Sequence, residues 1–257
     1  MKEKIFFRRL GQGIPVILIH GFCETLEIWS GFAENLSEKF EVFVIDLPGF
    51  GESPIPKVPF SINDIGTIIL DWIDQNKIVQ PVVIGHSLGG YVTLALASQA
   101  SEKINGIGLF HSTAYPDSDE RKANRNKVIA FVKKNGKDLF IDTYVPGLFF
   151  DKENPAIPLV DKIARKTSTQ TLLAYTAAMR DRSSSIEFLK SYAKPTLILA
   201  GENDSIIPVE AARELARLAP NAALHTLKET GHMAMYESPE EAQAIVSDFI
   251  LAARAAI

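Results

Sequence analysis

The sequence predicts an α/β fold: a mostly parallel sheet with helices on both faces and one helical insertion. Three observations predict it. Apolar runs of strand length alternate with segments whose apolar residues recur at helical spacing. The strand runs are apolar throughout, as expected of strands buried on both faces. Residues 112–190 break this rhythm, with helical patterns and no strong strand.

Residues 4–9 predict a first strand, followed by a turn at Gly11-Gln-Gly13. Pro15–Ile19 is a second apolar run and ends in His20-Gly21-Phe22-Cys23. Leu26, Trp29, Phe32, Ala33 and Leu36 then predict a helix over 26–38. Residues 41–46 form the next strand, and Leu47-Pro-Gly-Phe-Gly-Glu-Ser-Pro54 the loop after it. Ser61 with Asp64 three residues on is a capping box, and Ile65, Ile68, Ile69, Trp72 and Ile73 carry that helix to about Asn76. Val82–Ile84 reads as a buried strand. It breaks at Gly85-His86-Ser87-Leu88-Gly89 and resumes as an apolar helix from Gly90 to Ser98. Ile104–Phe110, Thr196–Ala200 and Ala222–Leu227 are further strands, and 208–219 and 238–254 further helices. Within the insertion, helices are expected at about 118–135, 137–145 and 158–180. The expected organisation is a core of residues 1–111 and 191–257 with a helical cap, or lid, over 112–190.

Composition narrows the function. The chain has 257 residues, 46% hydrophobic and 23% charged, enough for a full core. A net charge of −4 with no polybasic run argues against nucleic acid or an anionic membrane as partner, leaving a small molecule. The longest early apolar run is far shorter than the roughly 20 residues of a membrane span, and the charged N-terminus does not read as a signal peptide. One cysteine, Cys23, excludes an internal disulfide and a multi-cysteine zinc site and fits a reducing cytoplasm. Charge is uneven: residues 112–190 hold 14 Lys/Arg and 10 Asp/Glu, net +4, against −8 for the rest. A solvated helical surface explains this; a cap that attracts anionic substrates is the alternative.

The chemistry centres on Gly85-His-Ser-Leu-Gly89. A strand that turns into a helix within one residue forces Ser87 into an unfavourable backbone conformation and lifts its hydroxyl above the sheet edge. Glycines two positions either side remove the Cβ atoms that would collide. A nucleophilic serine needs a base, and His232 sits in a glycine-eased loop between the last strand and the final helix. His225 lies inside a strand, His86 beside the nucleophile with its ring expected to point away, His20 before the oxyanion turn, and His111 where the insertion begins. The acid that fixes the base's tautomer is Asp204, in the loop leaving the strand after the insertion, with Glu202 as the fallback. The backbone amides of Phe22 and Leu88 are the expected oxyanion donors.

With these residues in view, His20-Gly21-Phe22, Asp46-Leu-Pro-Gly-Phe-Gly-Glu-Ser53, Gly85-His-Ser-Leu-Gly-Gly90, Gly201-Glu-Asn-Asp204 and Gly231-His232 stand in the order of the α/β-hydrolase superfamily. The chain resembles its capped, serine-nucleophile branch of esterases, lipases, lactonases and carbon–carbon bond hydrolases over residues 15–110 and 195–254. The resemblance implies an eight-stranded sheet with the cap inserted after strand 6, and the roles argued above for Ser87, Asp204, His232, Phe22 and Leu88. Serine at the elbow argues against haloalkane dehalogenases and epoxide hydrolases, which use aspartate there. The expected activity is that of a carboxylesterase working through an acyl-enzyme, with no metal or cofactor. Carbon–carbon bond cleavage or lactone opening on the same triad, or a small-molecule receptor that keeps the triad, are the alternatives. Under the cap, His111, Tyr144, Phe149 and Tyr175 are candidate substrate contacts.

Overall fold

The computed structural model describes residues 4–255. Seven strands form one sheet: β1 (Phe7–Leu10), β2 (Pro15–Ile19), β3 (Glu41–Ile45), β4 (Val82–His86), β5 (Gly106–Phe110), β6 (Thr196–Gly201) and β7 (Ala222–Leu227). Their spatial order is β1-β3-β2-β4-β5-β6-β7. β1 runs antiparallel to β3, and every other pair is parallel. β4, β5 and β6 are buried at every position, which is why their sequences show no alternation. Edge strand β7 alternates, and His225 is exposed on it.

Among the described residues eleven α-helices accompany the sheet: α1 (Ser30–Leu36), α2 (Ile62–Gln75), α3 (Leu88–Gln99), α4 (Asp119–Asn135), α5 (Asp138–Leu148), α6 (Ile157–Ala164), α7 (Thr169–Arg180), α8 (Ile186–Ser191), α9 (Val209–Leu218), α10 (Ala234–Glu237) and α11 (Pro239–Ala255). Helices α4–α8 fill the interval between β5 and β6. Tyr175 and Thr171 of α7 anchor that segment to the core by donating to the carbonyls of Pro48 and Gly49, each at 2.8 Å. Among the described residues no helix is long and apolar enough to cross a membrane.

Among the described residues the sheet has seven strands, not the expected eight. The apolar runs themselves number seven, and the eighth came from the family resemblance alone. Gly11 and Gly13, both at positive φ, turn the chain from β1 straight into β2. The helical insertion accordingly follows the fifth strand. Two expected helices are each divided. Residues 26–38 begin as a 3-10 turn, Leu26–Trp29, before α1. Residues 158–180 part into α6 and α7, because Ser168 Oγ accepts the Thr171 amide at 3.0 Å and starts a new helix. The capping box at Ser61 and Asp64 forms as expected.

Strand order reverses between β2 and β4, since the chain goes from β2 outward to β3 and then crosses to β4. Ligands of open α/β sheets bind at the carboxyl ends of strands flanking such a reversal. Phe22 and Ser87 stand at those two ends.

Candidate active site

β4 passes into α3 through a single residue. Ser87 has φ 50° and ψ −112°, a conformation that costs a side chain on the order of 1–3 kcal/mol. The neighbouring glycines make it attainable. A Cβ on Gly85 would lie 2.1 Å from the Gly89 carbonyl oxygen, and one on Gly89 would lie 2.5 Å from that of Ile19. The elbow is pinned from β5: Ser87 N–H donates to Phe110 O at 2.9 Å, and Ser112 Oγ donates to Ser87 O at 2.7 Å. Leu88 is the first residue of α3, so its amide has no acceptor within the helix.

The loops after β6 and β7 bring Asp204 and His232 together. His232 Nδ1 lies 2.7 Å from Asp204 Oδ2. Asp204 Oδ1 accepts the amides of Ile206 and Ile207 at 2.8 and 2.9 Å. His111 Nδ1 approaches Asp204 Oδ2 at 3.2 Å, while its Nε2 accepts the Ala234 amide at 3.4 Å. Burial would raise the Asp204 carboxyl, but His232 and these hydrogen bonds outweigh it and hold the group below the carboxylate range. Burial pushes His111 down to about 4, so it sits neutral beside the carboxylate. His111, Asp204 and His232 could offer a metal three donor atoms. Their mutual hydrogen bonds already account for that convergence. His232 Nε2 is different: it is buried, has no hydrogen-bond partner, and is not bonded to Ser87 in this structure.

Around this pair the backbone is tightly set. His232 N–H donates to Leu148 O at 2.7 Å. Glu237 accepts the amides of Gly231 and Met233, both at 3.0 Å, and that of Phe150 at 2.6 Å. His86 turns away from the Ser87 hydroxyl, as expected, and its Nε2 meets His232 O at 2.9 Å. The residue preceding Ser87 thus holds the loop that carries His232.

The other end of His86 reaches the turn after β2. Its Nδ1 lies 3.0 Å from Glu24 Oε2, which also accepts the Gly21 amide at 2.6 Å. Both side chains are buried. Burial alone would lower His86 and raise Glu24, yet each sits beside the other's charge. His86 is raised and Glu24 lowered, which defines a buried ion pair. His20 donates to Gly21 O at 2.8 Å and accepts the Leu47 amide at 2.9 Å. Asp46 accepts the amides of Leu26 and Glu52 at 2.7 and 2.9 Å. A Cβ on Gly51 would lie 2.0 Å from that carboxylate, which explains the glycine in Asp46-Leu-Pro-Gly-Phe-Gly51. Cys23 lies in the same turn, buried at φ 58°, and burial raises its thiol.

Ser87 opens on a cavity of about 240 Å³, walled on the apolar side by Phe22, Phe140, Tyr144 and Met179. Of the four expected substrate contacts, only Tyr144 lines it. His111 is wholly buried behind Asp204. Tyr175 is closed in by Phe50 and Phe60, with ring centroids at 4.7 and 4.9 Å. Phe149 is turned into the core where residues 148–150 are laced to the His232 loop. Sequence reasoning missed Glu24, Glu237 and the α4 residues Arg121, Asn124 and Arg125 on the cavity wall. The four-residue spacing of Arg121 and Arg125 was the available signal for the last. A larger groove of about 740 Å³ between α4, α7 and Pro59 lies apart from Ser87.

This fold, with this elbow at its strand reversal, defines a hydrolase of the α/β class. The chain belongs to the alpha/beta hydrolase fold family, which it matches over residues 14–239. A thermophilic esterase from Thermogutta terrifontis, solved with malate bound, superposes with a TM-score of 0.91 at 28% identity, covering 97% of this chain and 93% of that one. An uncharacterized hydrolase of Bacillus subtilis is 24% identical over 91% of this chain and 89% of its own length. The 2-(acetamidomethylene)succinate hydrolase of Mesorhizobium japonicum is 24% identical over 95% of this chain and 90% of its own length.

Proposed function

We propose that the protein is a serine hydrolase that cleaves an ester-like bond of a small molecule through an acyl-enzyme. The observation that carries this reading is the His232 imidazole. Its Nδ1 is fixed on Asp204, its Nε2 is left without a partner, and its carbonyl is held by the neighbour of the strained Ser87. His232 takes the proton of Ser87 Oγ as that oxygen attacks the ester carbonyl. The amides of Phe22 and Leu88 bind the oxyanion. The tetrahedral species collapses, His232 protonates the departing alkoxide, and the acyl group stays on Ser87. Water, deprotonated by His232, then releases the acid and restores the serine. Helices α4–α8 serve as the cap and supply Tyr144, Val128 and Met179 to the cavity. The esterase relative at 28% identity supports ester chemistry.

The test is a panel of aryl esters of increasing acyl length. Ser87→Ala should lower kcat by roughly 10⁴–10⁶, and a loss below tenfold on the best ester would discard the mechanism. Asp204→Asn should cost on the order of 10⁴. Glu202→Gln should cost little; if it proves the damaging change, the acid is misassigned.

A further inference from the structure

One wall of the Ser87 cavity differs from the rest. Arg121, Asn124, Arg125 and Val128 of α4 line it, at positions i, i+3, i+4 and i+7 of one helical face. Two arginines and an asparagine therefore line the space on which Ser87 opens. No Asp or Glu stands on the cavity wall. Solvation explains basic residues on the outer face of a helix. It does not explain arginines turned to a partly enclosed cavity with an apolar opposite wall.

Their charge is not cancelled locally. The buried Asp117 carboxylate is shared between two arginines: Oδ2 accepts Arg125 Nε at 3.1 Å, and Oδ1 accepts Arg182 Nη1 at 2.7 Å. Arg182 is already engaged. It also donates to the carbonyls of Met179 and Tyr115 and lies 4.0 Å above the Tyr91 ring. Arg121 donates to Ile206 O at 2.6 Å and has no ion-pair partner within 4.0 Å among the described residues. That bond ties its guanidinium to the loop carrying Asp204 and leaves its other N–H groups free. Arg125 and Arg182 share one carboxylate and Arg121 has none, so three guanidinium groups stand against one carboxylate, an excess of two positive charges.

We propose that the substrate carries a carboxylate at the end remote from the reacting carbonyl, bound by Arg121 and Arg125 with Asn124. The proposal rests on the esterolytic reading of Ser87 and names its substrate class: half-esters of short dicarboxylic acids. A guanidinium fork matches a carboxylate in two parallel hydrogen bonds. The size fits as well. A cavity of about 240 Å³ accommodates a short diacid chain.

Calorimetric titration with glutarate tests this without turnover. Dimethyl glutarate is the neutral counterpart, and Lys127→Gln the control, since it removes the same charge from the exposed side of α4. Glutarate should bind the unmodified protein and Lys127→Gln alike, and dimethyl glutarate should bind at least about tenfold more weakly. Arg121→Gln and Arg125→Gln should each weaken glutarate by about tenfold to a hundredfold, the range of a charge-assisted hydrogen bond. Arg121→Lys should recover part of that loss. Absent glutarate binding, equal binding of diacid and diester, or an equal loss in Lys127→Gln would overturn the proposal. If Arg125→Gln does not fold, having lost its bond to Asp117, Arg121→Gln decides, since Arg121 is held only by a backbone carbonyl. Failure of the serine reading would show separately, as undiminished ester hydrolysis by Ser87→Ala with glutarate binding intact.

Discussion

Glu24 connects three parts of the site through two oxygen contacts and one neighbour. Its carboxylate steadies the Gly21 amide, next to the proposed oxyanion donor Phe22. Through His86 it reaches the carbonyl of His232. Breaking a buried ion pair from one side costs about 3–5 kcal/mol, because the other charge stays buried without its partner. Glu24→Gln should therefore lower the unfolding free energy by about 3 kcal/mol in urea titration, and kcat should fall with it. A change below about 1 kcal/mol would show that the pair contributes little. None of this was legible from the chain. Glutamate in an apolar turn gives no periodic signal, and its partner lies 62 residues away. The strained turn at Ser87 and the meeting of Asp204 with His232 were legible because each stands in a short glycine-containing loop at a strand end, where the backbone itself demands particular residues. The cavity contacts were not. His111, Phe149 and Tyr175 are aromatic or polar residues in or beside the insertion, but which of them faces open space depends on how α5 and α7 pack.

At the scale of elements, α7 is fastened to the β3–α2 loop rather than merely packed on it. Tyr175 is wholly buried, and its hydroxyl is bonded to Pro48 O. Tyr175→Phe removes that bond without changing the packing and should cost about 1 kcal/mol, or a melting shift of about 2–4 °C in a chain of this length. A shift under 1 °C by calorimetry would mean that the bond adds nothing to the docking of α7. Strand positions were read well because buried parallel strands are apolar without interruption. The divided helices were harder. A mid-segment serine such as Ser168 is compatible with a continuous helix until its hydroxyl is seen capping a new one. The eighth strand is the opposite case: the apolar runs number seven, as the sheet does, and only the family pattern implies one more.

For the molecule as a whole, buried ionisable groups set the pH range of stability. Burial lowers both His20 and His111, the latter to about 4. Each stays neutral in the fold while an unfolded histidine takes up a proton below about 6.5. The unfolded chain then binds more protons, so stability falls with pH below that value. Asp204 and Glu24 are depressed, and their contribution is lost only at lower pH, as the folded groups themselves protonate. His86 is raised: its contribution is full below about 6.5 and is lost as pH rises through its folded value. The unfolding free energy should peak near pH 6.5 and drop by roughly 3 kcal/mol toward pH 4, at about 1.4 kcal/mol per unit for His111 alone. Urea midpoints measured from pH 4.5 to 8.5 check this, and a flat course between 4.5 and 6.5 would contradict it.

Cys23 is the chain's single sulfur nucleophile, sealed in the turn beside Phe22 and kept protonated by its surroundings. Alkylating reagents will find it only in molecules where that turn has opened. The rate of iodoacetamide uptake therefore times the opening of the wall that faces the nucleophile, with no substitution made in the chain. An inhibitor seated against that wall would slow the clock, so occupancy of the site becomes measurable before any substrate is known.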